Sequence, residues 1–399
     1  MGQGFVSNDI IRQKLQQAAG ALQEQDVDLW MTYVQETSAG PERAFQYIAP
    51  SHLTWESAIL ISRSGEKEVI LGSFDAKDFE DSKLYDKVTP YVQDFKEPFS
   101  LALSRIKPRT IAVNFSQSDN AADGIGHGAF LNLTKMVETF APEARIVSAE
   151  GIISTLISQK TPLELQAIQE AIGITTGIFE QISAYLKPGL TEKQLYDFIQ
   201  GKIREAGTSP SFQTLVFAGD RGAVFGHSSA TDNKIQPGDF VHVDMGVWVR
   251  EYASDMQRTW YVLKPGEDRA PDNAQKGFDT IRKAIVVTGK ALKPGVRGLD
   301  IDNISRKTVT DAGFPEYPHA LGHQLGKEVH DGGTLLGPDW PRYRGVPLQQ
   351  IKLGQVYTLE PSLNVEGVGA VGLEEDVVVT EDGARYLSDP QTEIWYVKD

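Results

Sequence analysis

Apolar residues at Ile10, Ile11, Leu15, Ala18, Ala19 and Leu22 recur with helical spacing across Asn8 to Gln25, so the chain opens on a predicted amphipathic helix. The period then changes. Ser57–Ile61 and Glu68–Phe74 are apolar runs flanking the polar Ser64-Gly65-Glu66-Lys67, which predicts a hairpin. This alternation of helical and extended patterns describes a small α/β domain. Thr161, Pro162 and Glu164 then form a helix start, with Thr as N-cap, Pro at the first helical position and Glu reaching back to the cap amide, and a long helix to about Leu186 follows. The boundary is placed there, giving an amino-terminal domain of residues 1–159 and a carboxy-terminal domain of residues 160–399.

The second domain carries a weak internal repeat. Helix, Leu186-Lys187-Pro188-Gly189, helix, Glu205-Ala206-Gly207 recurs as helix, Leu292-Lys293-Pro294-Gly295, helix, Asp311-Ala312-Gly313. Gly238 to Asp244 is echoed by Gly354 to Glu360. Each half reads as helices, a glycine turn and a strand ending in a carboxylate, so a pseudo-two-fold domain delivers Asp244 and Glu360 to a shared centre. Two copies at so long a period do not make a solenoid.

Phe240 to Val262 alternates on both sides of a polar centre near Arg250-Glu251 and predicts a hairpin that sets Asp244 and Asp255 roughly opposite one another. Two ionised carboxylates that close repel, and a dication is the natural remedy. A lone strand Asp is more often satisfied by backbone donors or an arginine, and Glu360 and Glu374, at strand ends, would each be solvated if taken singly. Their joint arrangement carries the inference. Of seven histidines, His227, His319, His323 and His330 fall in two short stretches, and the glycines around His323 permit close backbone approach. His52 and His127 read as surface or structural residues, and His242 as a strand histidine beside the site.

Composition narrows the chemistry. With no cysteine, disulfides, thiolate metal sites and a Cys nucleophile are excluded, and metal ligation must rest on oxygen and imidazole. A formal net charge of −15 opposes binding to nucleic acid. Neither a basic amino terminus followed by an apolar stretch nor a run long enough to span a membrane is present, so a cytoplasmic protein without a membrane partner is expected.

From Thr161 to Val397 these residues resemble the pita-bread metallopeptidases, in the branch of the prolidases (Xaa-Pro dipeptidases) and aminopeptidase P; the first domain is similar to the creatinase/prolidase-type amino-terminal α/β domain. The motifs are His242-Val243-Asp244, Ser254-Asp255-Met256-Gln257-Arg258-Thr259, Gly322-His323 with Gly326, Leu359-Glu360-Pro361 and Glu374-Glu375. The resemblance implies two divalent metal ions held by Asp244, Asp255, His323, Glu360 and Glu374. Asp255 and Glu374 bridge them, Asp244 completes one ion, and His323 with Glu360 completes the other. Four carboxylates and one imidazole suit Mn²⁺, with Co²⁺ and Zn²⁺ chemically admissible. The implied reaction is hydrolysis before proline in Xaa-Pro dipeptides, with a metal-bridging hydroxide as nucleophile and Glu360 as proton shuttle. His227 and His330 are expected to assist catalysis, and His319, with His330, to hold the proline side of the substrate.

Three departures stand out. Gly372 occupies the place where many relatives carry arginine, Glu375 stands where Asp is usual, and Gln324 replaces the common Gly after the metal His. They leave the metal set intact and imply that another group recognises the substrate carboxylate. An aminopeptidase acting on longer peptides is the alternative function. A non-catalytic binding module would have lost ligands, and a methionine aminopeptidase would not need the first domain, which is expected to make a homodimer contact.

Overall fold

The computed structural model describes residues 5–40, 42–117, 119–219 and 229–398. The chain divides into two compact units, Met1–Leu163 and Glu164–Asp399. In the first, six strands form one mixed sheet in the order Lys87–Tyr91, Lys67–Gly72, Ser57–Ser62, Leu29–Val34, Thr110–Val113, Arg145–Ser148. The hairpin Ser57–Ser62 with Lys67–Gly72 is antiparallel. Leu29, Met31, Leu60, Ile70, Phe99 and Val113 form the core that one face of this sheet buries under its helices. The opening helix runs Asn8–Glu24, capped by Ser7, whose hydroxyl accepts from the Ile10 amide.

The second unit is built twice over. Helices Pro162–Tyr185 and Glu192–Glu205 precede a four-stranded sheet ordered Trp395–Val397, Met256–Val262, Phe240–Met245, Leu215–Ala218; helices Asp272–Ala291 and Gly298–Asp311 precede a three-stranded sheet ordered Val356–Leu359, Glu375–Thr380, Gly383–Tyr386. The repeated motifs adopt the same backbone. Gly189 and Gly295 both have φ of 86°. The Gly189 amide donates to Ile235 O at 2.8 Å and the Gly295 amide to Ile351 O at 2.9 Å. Only glycine holds that left-handed conformation without steric cost, which is why the Lys-Pro-Gly turn survives in both halves. Phe278, Ile281, Leu359, Val371 and Val377 belong to the core between the second helix pair and its strands.

Candidate metal centre

Each half delivers two acids at matching places. Asp244 lies near the end of Phe240–Met245, and Asp255 immediately precedes the antiparallel partner Met256–Val262. Glu360 immediately follows Val356–Leu359, and Glu374 immediately precedes its antiparallel partner Glu375–Thr380. The first hairpin turns at Arg250 and Glu251, both left-handed at φ 49° and 69°, with Val249 paired to Tyr252. This is the two-residue primed turn that matches strand twist, here made without glycine at roughly 1–2 kcal/mol per residue. That turn fixes the register and corrects one expectation: Asp244 is paired with Gln257, not with Asp255. Asp255 sits two residues along the partner strand, on the same face as Gln257, because side chains repeat every second residue.

His323 enters from a loop stitched to the second sheet. Its amide donates to Thr358 Oγ1 at 3.2 Å, and its carbonyl accepts from the Thr358 amide at 2.9 Å. Nδ1 lies 3.2 Å from Gln324 O, an acceptor, so Nδ1 carries the proton and Nε2 presents a lone pair. Nε2 is 3.5 Å from Asp255 Oδ2 and 3.4 Å from Glu360 Oε1. Burial, reinforced by the neighbouring His330, pushes the His323 pKa down to about 3, so the ring is neutral near pH 7. Three electron-pair donors thus face one another.

The carboxylates share the problem. Ligand atoms of Asp255, His323 and Glu374 all lie within 4.8 Å of one another. Among the described residues no donor reaches Asp244 Oδ1 or either oxygen of Glu374. Burial first, then the charges of Asp255 and Glu360, raises the Asp244 pKa well above the carboxylate range. Burial and Asp255 do the same to Glu360, and burial with Asp255, Glu360 and Asp244 to Glu374. Burial pushes Asp255 up to about 7. Orphaned buried oxygens around an imidazole lone pair are what a divalent cation satisfies, so the donor set fits a metal. Asp255 and Glu374 are buried, whereas the His323 and Glu360 side chains are 12% and 20% exposed.

Residues to which sequence reasoning assigned no role hold this arrangement together. The buried Arg258 donates to Gln257 O at 2.8 Å and to Glu374 O at 2.9 Å, clamping the two sheets, and pairs with Glu375 at 3.1 Å. That pairing accounts for the acid at position 375. Asp376 is fully buried, and its Oδ2 accepts from the Asp255 amide at 3.3 Å. Gln324 is also buried, its amide directed at Thr334 O and the Tyr357 hydroxyl.

The remaining expected residues are placed unequally. His330 is exposed, its ring centroid 4.3 Å from that of His323 in an edge-to-face arrangement. His319 uses Nδ1 toward Ala320 O at 2.8 Å and Nε2 toward Ser362 Oγ at 2.7 Å. His227 lies outside the described residues. His242 is buried and brought to about pH 4 by desolvation, hence neutral. His52, in the first unit, bonds Thr37 Oγ1 through Nδ1 at 3.2 Å.

A pseudo-two-fold α/β unit around a buried carboxylate and imidazole cluster defines a metal-dependent hydrolase of the pita-bread fold. The sequence profile of metallopeptidase family M24 matches residues 166–381, and the chain belongs to that family. An uncharacterized peptidase of Staphylococcus saprophyticus is 29% identical over 335 residues, spanning 83% of this chain and 87% of its own. Among solved structures, an Xaa-Pro dipeptidase from Bacillus anthracis superposes with a TM-score of 0.72 at 21% identity, over 97% of this chain and 100% of that one. An X-Pro aminopeptidase from Thermotoga maritima gives 0.71 at 22% identity, over 94% and 99%. At such identities the likeness is one of fold. Among the described residues no helix is long and apolar enough to cross a membrane.

Proposed function

We propose that the chain hydrolyses the peptide bond before proline in Xaa-Pro dipeptides, with two divalent ions, Mn²⁺ foremost, held by Asp244, Asp255, His323, Glu360 and Glu374. One observation carries the reading. The lone pair of His323 Nε2 lies within 3.5 Å of oxygens from Asp255 and Glu360, beside buried oxygens of Asp244 and Glu374 that no donor among the described residues reaches. When bound, such ions bring the pKa of water toward neutrality and polarise a carbonyl.

The protein's own residues supply the rest. Asp255 and Glu374, both buried, would each offer oxygens to both ions. Glu360, partly exposed, takes the proton released as water oxygen bonds to the carbonyl carbon, and returns it to the proline nitrogen as the C–N bond breaks. His330 is exposed beside His323, where its N–H can steady the oxygen that gains charge. His227 is assigned the same kind of task by its place in the sequence. His319, fixed by Ser362 and Ala320, walls the proline side.

The test is metal analysis combined with a panel of Ala-Pro, Ala-Pro-Ala and Ala-Ala. Release of proline from Ala-Pro alone, by protein carrying two ions per chain, supports the reading. Equal or faster cleavage of Ala-Pro-Ala assigns the chain to the aminopeptidase alternative. Metal-loaded protein that leaves every proline peptide intact overturns both.

A further inference from the structure

Gln257 is a neutral residue among acids, 6% exposed, and paired across the hairpin with Asp244. Its Nε2 donates to Asp244 Oδ2 at 3.3 Å and to Glu360 Oε2 at 3.4 Å. The opposite amide orientation would aim a carbonyl oxygen at two carboxylates, so the donor end must face them. Asp244 comes from the first half of the unit and Glu360 from the second. One amide group therefore spans the two halves.

The consequence lies in the oxygens left over. With Oδ2 of Asp244 occupied, its Oδ1 has no donor among the described residues. With Oε2 of Glu360 occupied, its Oε1 is the oxygen 3.4 Å from His323 Nε2. Resting on the reading of this cluster as a metal centre, we propose that Gln257 is a positioning residue. It reserves one oxygen of Asp244 and one of Glu360 for itself, presents the other to a cation, and so sets the affinity of the second ion.

Gly372 makes room for this. A Cβ built there would stand 2.8 Å from Gln257 Oε1 and 2.8 Å from His242 Cε1, closer than side-chain carbons approach such atoms. The Thr259 hydroxyl donates to Gly372 O at 2.7 Å and holds the glycine against the same strand. The amide of Gln257 and the bare backbone of Gly372 thus occupy one slot together. A side chain at 372 would press on the observed rotamer at 257 and shift its amide.

The experiment titrates Mn²⁺ alone into chelator-stripped protein, following heat by calorimetry and the spin-coupled two-ion signal by electron paramagnetic resonance. Gln257→Met keeps length and bulk but has no donor. Its weaker Mn²⁺ dissociation constant should rise about 10- to 100-fold, the range for residues that orient metal ligands, and the coupled signal should give way to that of isolated ions. Gly372→Ala keeps the Gln257 amide but displaces it by pressing on Oε1, and should raise the same constant by less. Unchanged second-ion binding in folded Gln257→Met overturns the inference. If that variant does not fold, Gly372→Ala decides, and an unchanged second constant overturns it. A wild-type chain that takes up no divalent ion refutes the metal reading itself, whereas a two-ion wild type with indifferent variants refutes only the role of Gln257.

Discussion

Glu374→Gln separates the cost of building the cage from its use. Glu374 is 1% exposed, and in the metal-free protein its charge must either face Asp255, Glu360 and Asp244 or be neutralised by a proton. Two unit charges about 4 Å apart repel by about 4 kcal/mol at an effective dielectric constant of about 20. Protonation caps the penalty. Holding a proton at pH 8 on a carboxyl whose ordinary pKa is 4.5 costs about 1.4 kcal/mol per pH unit, about 5 kcal/mol in all. Glutamine keeps the shape and removes the charge, so with chelator at pH 8 the variant should be more stable than wild type by about 2–5 kcal/mol, or roughly 5–15 °C in Tm. With metal the order should reverse. Wild type gains about 2.7 kcal/mol per site at a hundredfold excess over Kd, and the variant, lacking one ligand, gains less.

The pH dependence has a definite sign. Asp244, Glu360 and Glu374 have raised pKa values in the folded state, and Asp255 rises from 3.8 to about 7. Folded protein then binds more protons than unfolded, so their contribution is complete below about pH 4 and is lost as pH climbs through the folded values. Chelated wild type should weaken steadily from pH 4 to 8, and Glu374→Gln on a shallower slope. Thermal melts at pH 5 and 8, with chelator and with Mn²⁺, read all four corners. A chelated variant that melts at or below wild type at pH 8, with native circular dichroism, refutes the electrostatic account.

Two further outcomes follow from neighbouring residues. Glu360→Gln should lower kcat by about 10²- to 10⁴-fold while metal analysis still finds at least one ion per chain; complete loss of both ions would make Glu360 a retaining ligand and nothing more. Glu375→Ala leaves the guanidinium of Arg258, 2% exposed, without its acid and should cost about 3–5 kcal/mol in urea unfolding, and a cost below about 1 kcal/mol would show that the three backbone carbonyls around Arg258 suffice.

What the sequence disclosed follows from how local each signal is. The Lys-Pro-Gly turns, the hairpin centred on Arg250-Glu251 and the helix from Pro162 are written in adjacent residues, and the structure has them where the pattern placed them. Within that hairpin Asp255 stands two residues from the position facing Asp244: a two-residue turn at Arg250-Glu251 pairs Asp244 with Gln257, so the rough facing of the two acids is a diagonal one. Gln257, Arg258 and Asp376 act through partners more than a hundred residues away, at Glu360, Glu374 and Asp255. No periodicity marks such links. The Gly372 signal was visible as a departure, but its meaning depends on the side chains of Gln257 and His242, which only the folded sheets bring to it.

Asp244 answers to Glu360 across the duplicated halves, and Asp255 to Glu374, yet among the described residues no imidazole answers to His323. A nitrogen donor on one side makes the cluster unequal, so two divalent ions, on the proposed reading, would meet sites that differ in hardness as well as charge and would fill one at a time, in a fixed order.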